Sequence, residues 1–261
     1  MARFCSHEMK NVEIIPVTGL PEIKAGDALA PLILEAIEAD GLKIRDRDVL
    51  VLAQKIVSKA EDRLLDLKSI EPSKEALDIA NRDGRDPRLV EAVLGESKEI
   101  VVASERALIV EHRTGAVCAH AGIDRSNVGG DEDQVLLLPR DADLSARKLH
   151  EEIKSATNAF VPVLIADTQG RAFRRGVVGV AIGCAGLEPL VDLRGEKDRT
   201  GRMLEITILA HADEIAAAAS LVMGQDKQGV PAVLIRGLEY HAGDRPAQTL
   251  YRTKEEDLFR P

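Results

Sequence analysis

Residues 161–183 read VPVLIADTQGRAFRRGVVGVAIG, and this stretch decides the fold class. Its first part, residues 161–166, is a continuous apolar run that ends at Asp167 and predicts a buried strand. Residues 177–182 predict a second strand, interrupted by a glycine. The polar residues between the two runs predict a loop. The stretch therefore predicts two core strands joined by a charged loop.

The chain on both sides of this stretch supplies further elements with clear start and stop signals. The remaining strands and apolar runs are predicted at residues 12–17, 48–53, 99–103, 107–111, 116–119, 134–138 and 230–235. Helices are predicted from a cap at Asp27 to Gly41, twice within residues 72–96 after Ser73 and from Pro87, from a cap at Asp143 to Ser155, and over 211–223.

The order of these elements indicates the fold class. Strands and helices mix without strict alternation, so we expect an α+β or mixed α/β architecture. No internal repeat or low-complexity linker divides the chain. We therefore expect two interleaved halves with weak boundaries, near residues 70–80 or near residues 195–205.

The composition excludes several classes of partner. The chain of 261 residues has two tyrosines, four phenylalanines and no tryptophan, so it lacks a set of rings on which nucleic-acid bases could stack. A net charge of −9 argues against nucleic-acid and anionic membrane partners. The three cysteines show no C-x-x-C spacing, and no run approaches the roughly 20 apolar residues of a membrane span. We expect a cytoplasmic protein without a disulfide framework or a zinc site.

Several widespread catalytic motifs are absent from the sequence. There is no G-x-x-x-x-G-K-[ST] loop, and Gly176, Gly179 and Gly183 do not have G-x-G-x-x-G spacing. Neither H-E-x-x-H nor G-x-S-x-G occurs. The sequence thus disfavours P-loop enzymes, Rossmann dehydrogenases, the commonest zinc proteases and the commonest serine hydrolases.

Two polar segments beside predicted strands carry candidate chemistry. Asp167 is followed by a hydroxyl and three arginines, which together can hold a hard cation beside phosphate oxygens. In residues 122–127, Asp124 could be a second carboxylate and Asn127 a donor to a ligand. The alternatives are a turn capped by Asp167 with solvated arginines, and an Asx turn at Asp124 and Asn127.

The glycine-rich segment 223–230 could wrap a ligand through backbone groups, and its alternative is an ordinary helix C-cap. From the residues alone, the prediction is a metal-assisted phosphate or carboxylate site that uses Asp124, Asp167 and nearby arginines.

Eight segments in order along residues 12–259 carry a family resemblance. They are VTGLPEIKAGD (17–27), DVLVLAQKIVSKAEDR (48–63), AGIDRSNV (121–128), LLLPRDADLSARKL (136–149), DTQGRAFRRGVVGVAIG (167–183), DRTGRMLE (198–205), ADEIAAAASLVMGQ (212–225) and VPAVLIRG (230–237). In these segments the chain resembles the coenzyme F420-0:L-glutamate ligases, which add glutamate to the phospholactyl end of the deazaflavin cofactor.

The resemblance implies roles for particular residues. Asp124 and Asp167 would bind a divalent metal, and Thr168 and Gln225 would serve a second cation. Gln225 departs from members with Glu there, and its amide contributes no charge. Gln54 and Lys55 likewise replace the Ser-Thr of some members. The implied guanine nucleotide site comprises Leu20, Pro21, Glu22, Ile23, Gln54, Lys55, the phosphate lysine Lys59, Asn127, Met223, Gly224, Gln225, Asp226, Lys227, Gln228, Gly229 and Val230.

The resemblance also implies a reaction. GTP would phosphorylate the carboxylate of F420-0, and the amine of L-glutamate would attack the acyl phosphate to form an amide. Arg171 and Arg174 would steady the phosphoryl oxygens, beside two Mn²⁺ or Mg²⁺ ions, with K⁺ as a further ion. The alternatives are a noncatalytic binder of GTP or F420, motivated by Gln225, and a metal-dependent phosphatase.

The resemblance further implies an assembly and a domain composition. Family members are intertwined homodimers of two-domain subunits, distinct from P-loop and Rossmann folds. We therefore expect a homodimer in which residues 1–261 form one ligase module of two interleaved subdomains. Because the chain ends at Pro261, we expect no C-terminal flavin-reductase-like domain such as some relatives carry.

Overall fold

The computed structural model describes residues 11–126, 128, 131–224 and 228–258. The strands are β1 (Glu13–Val17), β2 (Val49–Ala53), β3 (Leu64–Asp66), β4 (Ser97–Ser104), β5 (Ala107–His112), β6 (Val117–Ala119), β7 (Gln134–Leu136), β8 (Val163–Arg171), β9 (Arg174–Ala185), β10 (Val191–Asp192), β11 (Ile208–Leu209) and β12 (Ala232–Arg236). The helices are α1 (Leu29–Ala39), α2 (Gln54–Ala60), α3 (Lys74–Asp83), α4 (Pro87–Glu96), α5 (Ala142–Thr157) and α6 (His211–Met223). The predicted mixture of helices and strands is confirmed.

A five-stranded sheet forms the centre of the molecule, with the strand order β1-β12-β2-β8-β9. The pair β2–β8 is parallel, and the other pairs are antiparallel. Leu50 and Leu52 of β2 enter a hydrophobic cluster with α1 and α5, whereas Val49 and Val51 enter a second cluster with α6. Because both faces of the sheet are covered, β2 consists of apolar residues without alternation.

The segment after Asp167 is not the predicted loop. β8 continues to Arg171 and β9 begins at Arg174, where these two residues pair across a tight hairpin. Backbone hydrogen bonds between adjacent antiparallel strands do not require apolar side chains, so the hairpin extends beyond the hydrophobic core. The polar composition of the segment concealed this extension.

Two glycines of β9 allow helices to approach opposite faces of the sheet. A Cβ atom at Gly179 would lie 2.5 Å from the carbonyl oxygen of Ala216 in α6. A Cβ atom at Gly183 would lie 2.3 Å from the carbonyl oxygen of Ala142 in α5. The glycines that punctuate this strand therefore mark close backbone contacts.

The segment between β2 and α5 forms smaller units. β4, β5 and β6 make a three-stranded antiparallel sheet, and β3 pairs with β7. The cluster that joins α3 and α4 to the three-stranded sheet contains Ala76, Ile79, Ala80, Val90, Val93, Leu108 and Val110.

The start of α5 corrects a predicted cap. Asp141, not Asp143, caps the helix by accepting a hydrogen bond from the backbone N–H of Leu144 at 2.9 Å. Asp143 is buried in the first turn, where it accepts backbone hydrogen bonds from Cys184 at 2.8 Å and Ala247 at 2.6 Å. Its carboxylate therefore joins β9 and the C-terminal segment to α5.

One further sequence prediction differs from the structure, and one helix was not predicted. Ala28, not Asp27, precedes α1 as the N-cap residue, and Asp27 instead accepts a hydrogen bond from the backbone N–H of Lys24 at 2.8 Å. The helix α2, which follows β2 without a loop, was not predicted. Within the described ranges, no helix combines the length and apolar character that crossing a membrane requires.

Candidate active site

A cavity of about 570 Å³ lies where the parallel pairing of β2 with β8 ends. Its walls come from the loop after β1, from α2, from β8 and from the end of α6 with the segment that follows. In sheets with parallel strands this edge is the usual place for a ligand, and the volume suits a small molecule of nucleotide size.

The structure brings many of the predicted site residues together around this cavity. The predicted residues that line it are Leu20, Pro21, Glu22, Ile23, Gln54, Lys55, Lys59, Asp167, Thr168, Met223, Gly224, Gln228, Gly229 and Val230. The lining residues that were not predicted are Ala53, Ile56, Ala166, Gly179, Ser220 and Pro231. Asn127, Gln225, Asp226 and Lys227 lie outside the described residues.

Ser220 illustrates a signal that was available in the sequence. It lies three residues before Met223 on α6, so the two side chains share one face of the helix. Gly179, by contrast, reaches the cavity through the pairing of β9 with β8, which no local pattern reveals.

Gln54 connects the end of the sheet to Asp124. The Gln54 side chain is buried, and its Nε2 atom donates a hydrogen bond to Oδ2 of Asp124 at 2.5 Å. Its Oε1 atom accepts from Oγ of Ser58 at 2.7 Å. Because Ser58 engages the oxygen, the amide nitrogen is directed at the carboxylate. The backbone of Asp124 is held in turn by two hydrogen bonds with Leu136, each 2.9 Å.

Lys55 supplies positive charge beside Asp124. Its Nζ atom lies 3.5 Å from Oδ1 of Asp124 and donates to the backbone oxygen of Ser126 at 3.0 Å. Both side chains of the ion pair are partly exposed; Lys55 lines the cavity, whereas Asp124 is not among its lining residues.

Asp167 lies one residue beyond the last parallel pair, Ala53 with Ala166. A register shift between β8 and β9 occurs just before it, at Ile165 and Ala166. Such bulges redirect side chains and are frequent next to active sites. Asp167 therefore lies where the parallel pairing with β2 ends, although β8 itself continues to Arg171.

The two carboxylates influence each other. Burial, and then the nearby charge of Asp124, raise the pKa of Asp167 to about 6. Burial also raises the pKa of Asp124, while Lys55 acts in the opposite direction. Two poorly solvated carboxylates that repel each other form a donor set suited to a divalent cation.

The donor set also indicates the kind of cation. In the part of the chain that the structure describes, no three His, Cys, Asp or Glu side chains cluster as metal ligands. Mg²⁺ and Mn²⁺ are commonly held by one or two carboxylates, with water and phosphate oxygens completing the shell. Asp124 and Asp167 fit that pattern, and Thr168 adds a hydroxyl at the cavity wall.

Lys59 and Glu22 form a second charged pair in the cavity wall. The Nζ atom of Lys59 lies 2.5 Å from Oε1 of Glu22. The Lys59 side chain is only 16% exposed, whereas that of Glu22 is 76% exposed. Thus Lys55, not Lys59, is the lysine that contacts Asp124, and the phosphate role of Lys59 stays a prediction.

The structure places the three arginines away from the cavity of the same chain. Arg171, Arg174 and Arg175 are exposed on the β8–β9 hairpin, and none of them lines the cavity. The Nη2 atom of Arg171 donates to the backbone oxygen of Arg175 at 3.4 Å. Phe173, at the tip, is 90% exposed. The catalytic roles of Arg171 and Arg174 stay predictions.

Comparison with known proteins identifies the family. The family model described as F420-0:Gamma-glutamyl ligase matches residues 18–237. Proteins named Coenzyme F420:L-glutamate ligase are similar over nearly the whole chain. The one from Methanothermobacter thermautotrophicus is 51% identical, covering 95% of this chain and 99% of its own. Those from Archaeoglobus fulgidus and Methanopyrus kandleri are 47% and 45% identical, covering 95% and 97% of this chain and 96% and 99% of their own.

The resemblance seen in the sequence is thereby confirmed. The matched residues include the loop after β1, both aspartates and the hairpin. The chain is a ligase and belongs to the F420-0:gamma-glutamyl ligase family.

Proposed function

We propose that this ligase joins L-glutamate to the phospholactyl carboxylate of coenzyme F420-0 and uses GTP as the energy source. The observation that carries the proposal is the Asp124–Asp167 pair beside Lys55, at a cavity large enough for a nucleotide. The names of the similar proteins support the acceptor and the amino acid.

The proposed reaction has two steps. In the first, a carboxylate oxygen of F420-0 forms a bond to the γ-phosphorus of GTP, and GDP leaves. In the second, the amine of glutamate bonds to the acyl carbon, loses a proton, and phosphate leaves. The acyl phosphate is needed because a free carboxylate is a poor acylating agent. A γ-linked glutamate on the first product would require the same two steps.

The residues of the chain bind and orient the reactants. Asp124 and Asp167 would hold a divalent cation, Mn²⁺ or Mg²⁺, which when bound neutralises charge on the phosphate oxygens. Gln54 keeps the Asp124 carboxylate in position, and Lys55 adds a positive charge beside it. In the proposal, Thr168 and Gln225 serve a second cation, and K⁺ is a further ion.

The proposal also includes a homodimer. Phe173 of the hairpin, Ile206 and Leu221 of α6 are 90%, 88% and 78% exposed, and large apolar side chains of this kind favour association. Arg171 and Arg174 lie outside the cavity of their own chain. A role for them at the phosphoryl group therefore requires hairpin movement or a second subunit.

The test is an incubation of the protein with F420-0, L-glutamate, GTP and Mn²⁺. We expect a mass gain of one glutamyl unit on the acceptor and stoichiometric release of GDP. The absence of both products would overturn the proposal. Tight GTP binding without GDP formation would select the noncatalytic binder, and phosphate release that does not require glutamate would select the phosphatase.

A further inference from the structure

The Glu22–Lys59 pair occupies a different part of the cavity from the aspartates. Lys55 and Lys59 are both on α2, four residues apart, and each lines the cavity. Four residues of helix rise about 6 Å. Lys55 contacts Asp124, whereas Lys59 contacts Glu22, and both lysines line the cavity, so the cavity extends along α2 from Lys55 towards the loop after β1.

This position suits the base of a nucleotide whose phosphates lie at the aspartates. The neighbours of Glu22 in the loop, Leu20, Pro21 and Ile23, all line the cavity, and Val230 lines it as well. Their aliphatic surfaces can pack against the faces of a purine without an aromatic ring. Glu22 then supplies the polar contact that such apolar walls lack.

The chemistry of Glu22 distinguishes one purine from the other. An ionised carboxylate only accepts hydrogen bonds, and it can accept two side by side. Guanine presents two adjacent donors, N1–H and the 2-amino group, whereas adenine presents an acceptor at N1. Among the described residues that line the cavity, Glu22 and Asp167 are the only carboxylates, and Asp167 lies at the predicted metal site.

Lys59 makes Glu22 suitable for this task. The Nζ atom of Lys59 lies 2.5 Å from one carboxylate oxygen of Glu22, so the ion pair restricts the Glu22 side chain. The carboxylate remains mostly exposed and free to approach a ligand edge. This role of Lys59 differs from the phosphate contact that the family resemblance implies, and Lys55 is placed to make that contact instead.

We propose that Glu22, positioned by Lys59, is the residue that selects guanine over adenine. The inference rests on the proposed use of GTP and adds the group that determines the base. An alternative role for the pair, binding the amine and carboxylate of L-glutamate, is disfavoured by the aliphatic neighbours of Glu22 and by the separation from the aspartates.

The experiment measures nucleotide binding by calorimetric titration in the presence of Mn²⁺. The wild type and Glu22→Gln are each titrated with GDP, inosine diphosphate, xanthosine diphosphate and ADP. Inosine lacks the 2-amino group, and xanthine carries a carbonyl in its place. Glu38→Gln on α1 is the matched control, because Glu38 is exposed and does not line the cavity.

For the wild type we expect GDP to bind at least roughly tenfold more tightly than inosine diphosphate. The difference in affinity between GDP and xanthosine diphosphate or ADP should be larger still. Each replacement of GDP removes a hydrogen bond to a charged group. In Glu22→Gln the amide can donate to the xanthine carbonyl. The ratio of GDP to xanthosine diphosphate affinity should therefore fall by at least roughly tenfold. The Glu38→Gln control should keep the wild-type ratios.

Two results would overturn the inference in different ways. If Glu22→Gln keeps the wild-type ratios, or changes only the KM for L-glutamate, Glu22 does not read the base and the proposed function stands. If the wild type binds no guanine nucleotide with Mn²⁺ present, the proposed use of GTP fails and this inference fails with it.

Discussion

Gln54 and Asp124 are 70 residues apart in the sequence, yet the amide of one donates to the carboxylate of the other at 2.5 Å. This hydrogen bond joins the first residue of α2 to the segment between β6 and β7. It holds a predicted metal ligand from a position at the end of a buried strand.

Replacing Gln54 by Leu should weaken metal binding. The substitution removes the donor to Asp124 and keeps a side chain of similar size. Groups that orient a metal ligand typically contribute about 10- to 100-fold to affinity, so we expect a loss of Mn²⁺ affinity in that range. Titration of Mn²⁺ into the metal-free protein measures it. Ser58→Ala, which removes only the contact to Gln54 Oε1, should have a smaller effect, and an unchanged affinity in Gln54→Leu would contradict the positioning role.

Replacing Asp167 by Asn should abolish turnover and leave the fold intact. The amide keeps the shape of the side chain but removes the charge that a divalent cation needs. Glutamyl addition to F420-0 measures the activity, and circular dichroism checks the fold. Retained turnover with an unchanged Mn²⁺ requirement would refute the assignment of Asp167 to the metal.

The same variant should show how Asp167 affects stability without metal. The pKa of Asp167 is about 6 in the folded protein and 3.8 by its ordinary value, so the folded state binds more protons between these two pH values. The contribution of this group to stability is therefore full below the lower value and is lost as pH rises through about 6. Asn does not titrate.

Urea unfolding with a chelator present tests this dependence. We expect the stability of Asp167→Asn relative to the wild type to increase as pH rises from about 4 to about 6 and to level off above that window. Comparing the two proteins at each pH cancels the titration of other groups. A constant difference across the window would show that Asp167 is not perturbed.

Two glycine-to-alanine substitutions should have opposite signs. At Gly179 the added Cβ atom would lie 2.5 Å from a backbone oxygen of α6, so we expect a loss of about 1–3 kcal/mol in the free energy of unfolding. At Gly95, in α4, nothing lies within 4 Å of the added atom, so helix propensity should increase the free energy of unfolding by about 0.5–1 kcal/mol. Chemical denaturation measures the free energy of unfolding of both variants. Equal effects of the two substitutions would contradict the close contact at Gly179.

Arg63, the residue before β3, should be important for stability because its side chain links this position to the end of α4 and to the segment after β7. It is 9% exposed, donates to Oε2 of Glu96 at 2.6 Å and to the backbone oxygen of Leu138 at 2.9 Å. Arg63→Met leaves the partly buried Glu96 without this partner, and we expect a loss of about 3–5 kcal/mol. The double variant Arg63→Met with Glu96→Gln should recover part of it in denaturation experiments. No recovery would mean that packing, not charge, accounts for the loss.

Sequence patterns predicted the core of the fold because burial leaves a local signature. The apolar runs at β2 and β8 correctly indicated strands covered on both faces, and the alanine-rich segment correctly indicated α6. The same patterns missed α2, whose seven residues begin directly after a strand. They also missed the outer part of the β8–β9 hairpin, because backbone pairing there does not depend on apolar side chains.

For the candidate site too, local sequence patterns predicted some features, and only the tertiary structure revealed the others. By itself, the sequence determined the mixed α/β fold class and the family, since these follow from local order and the eight matching segments, and it predicted Asp124 and Asp167 as the site carboxylates. Only the tertiary structure decided that Gln54 holds Asp124, that Lys59 pairs with Glu22 across 37 residues, and that the arginines lie outside the cavity. The reason is physical: a local pattern reports the propensity and burial of a segment, whereas contacts between distant segments depend on which strands become neighbours in the sheet.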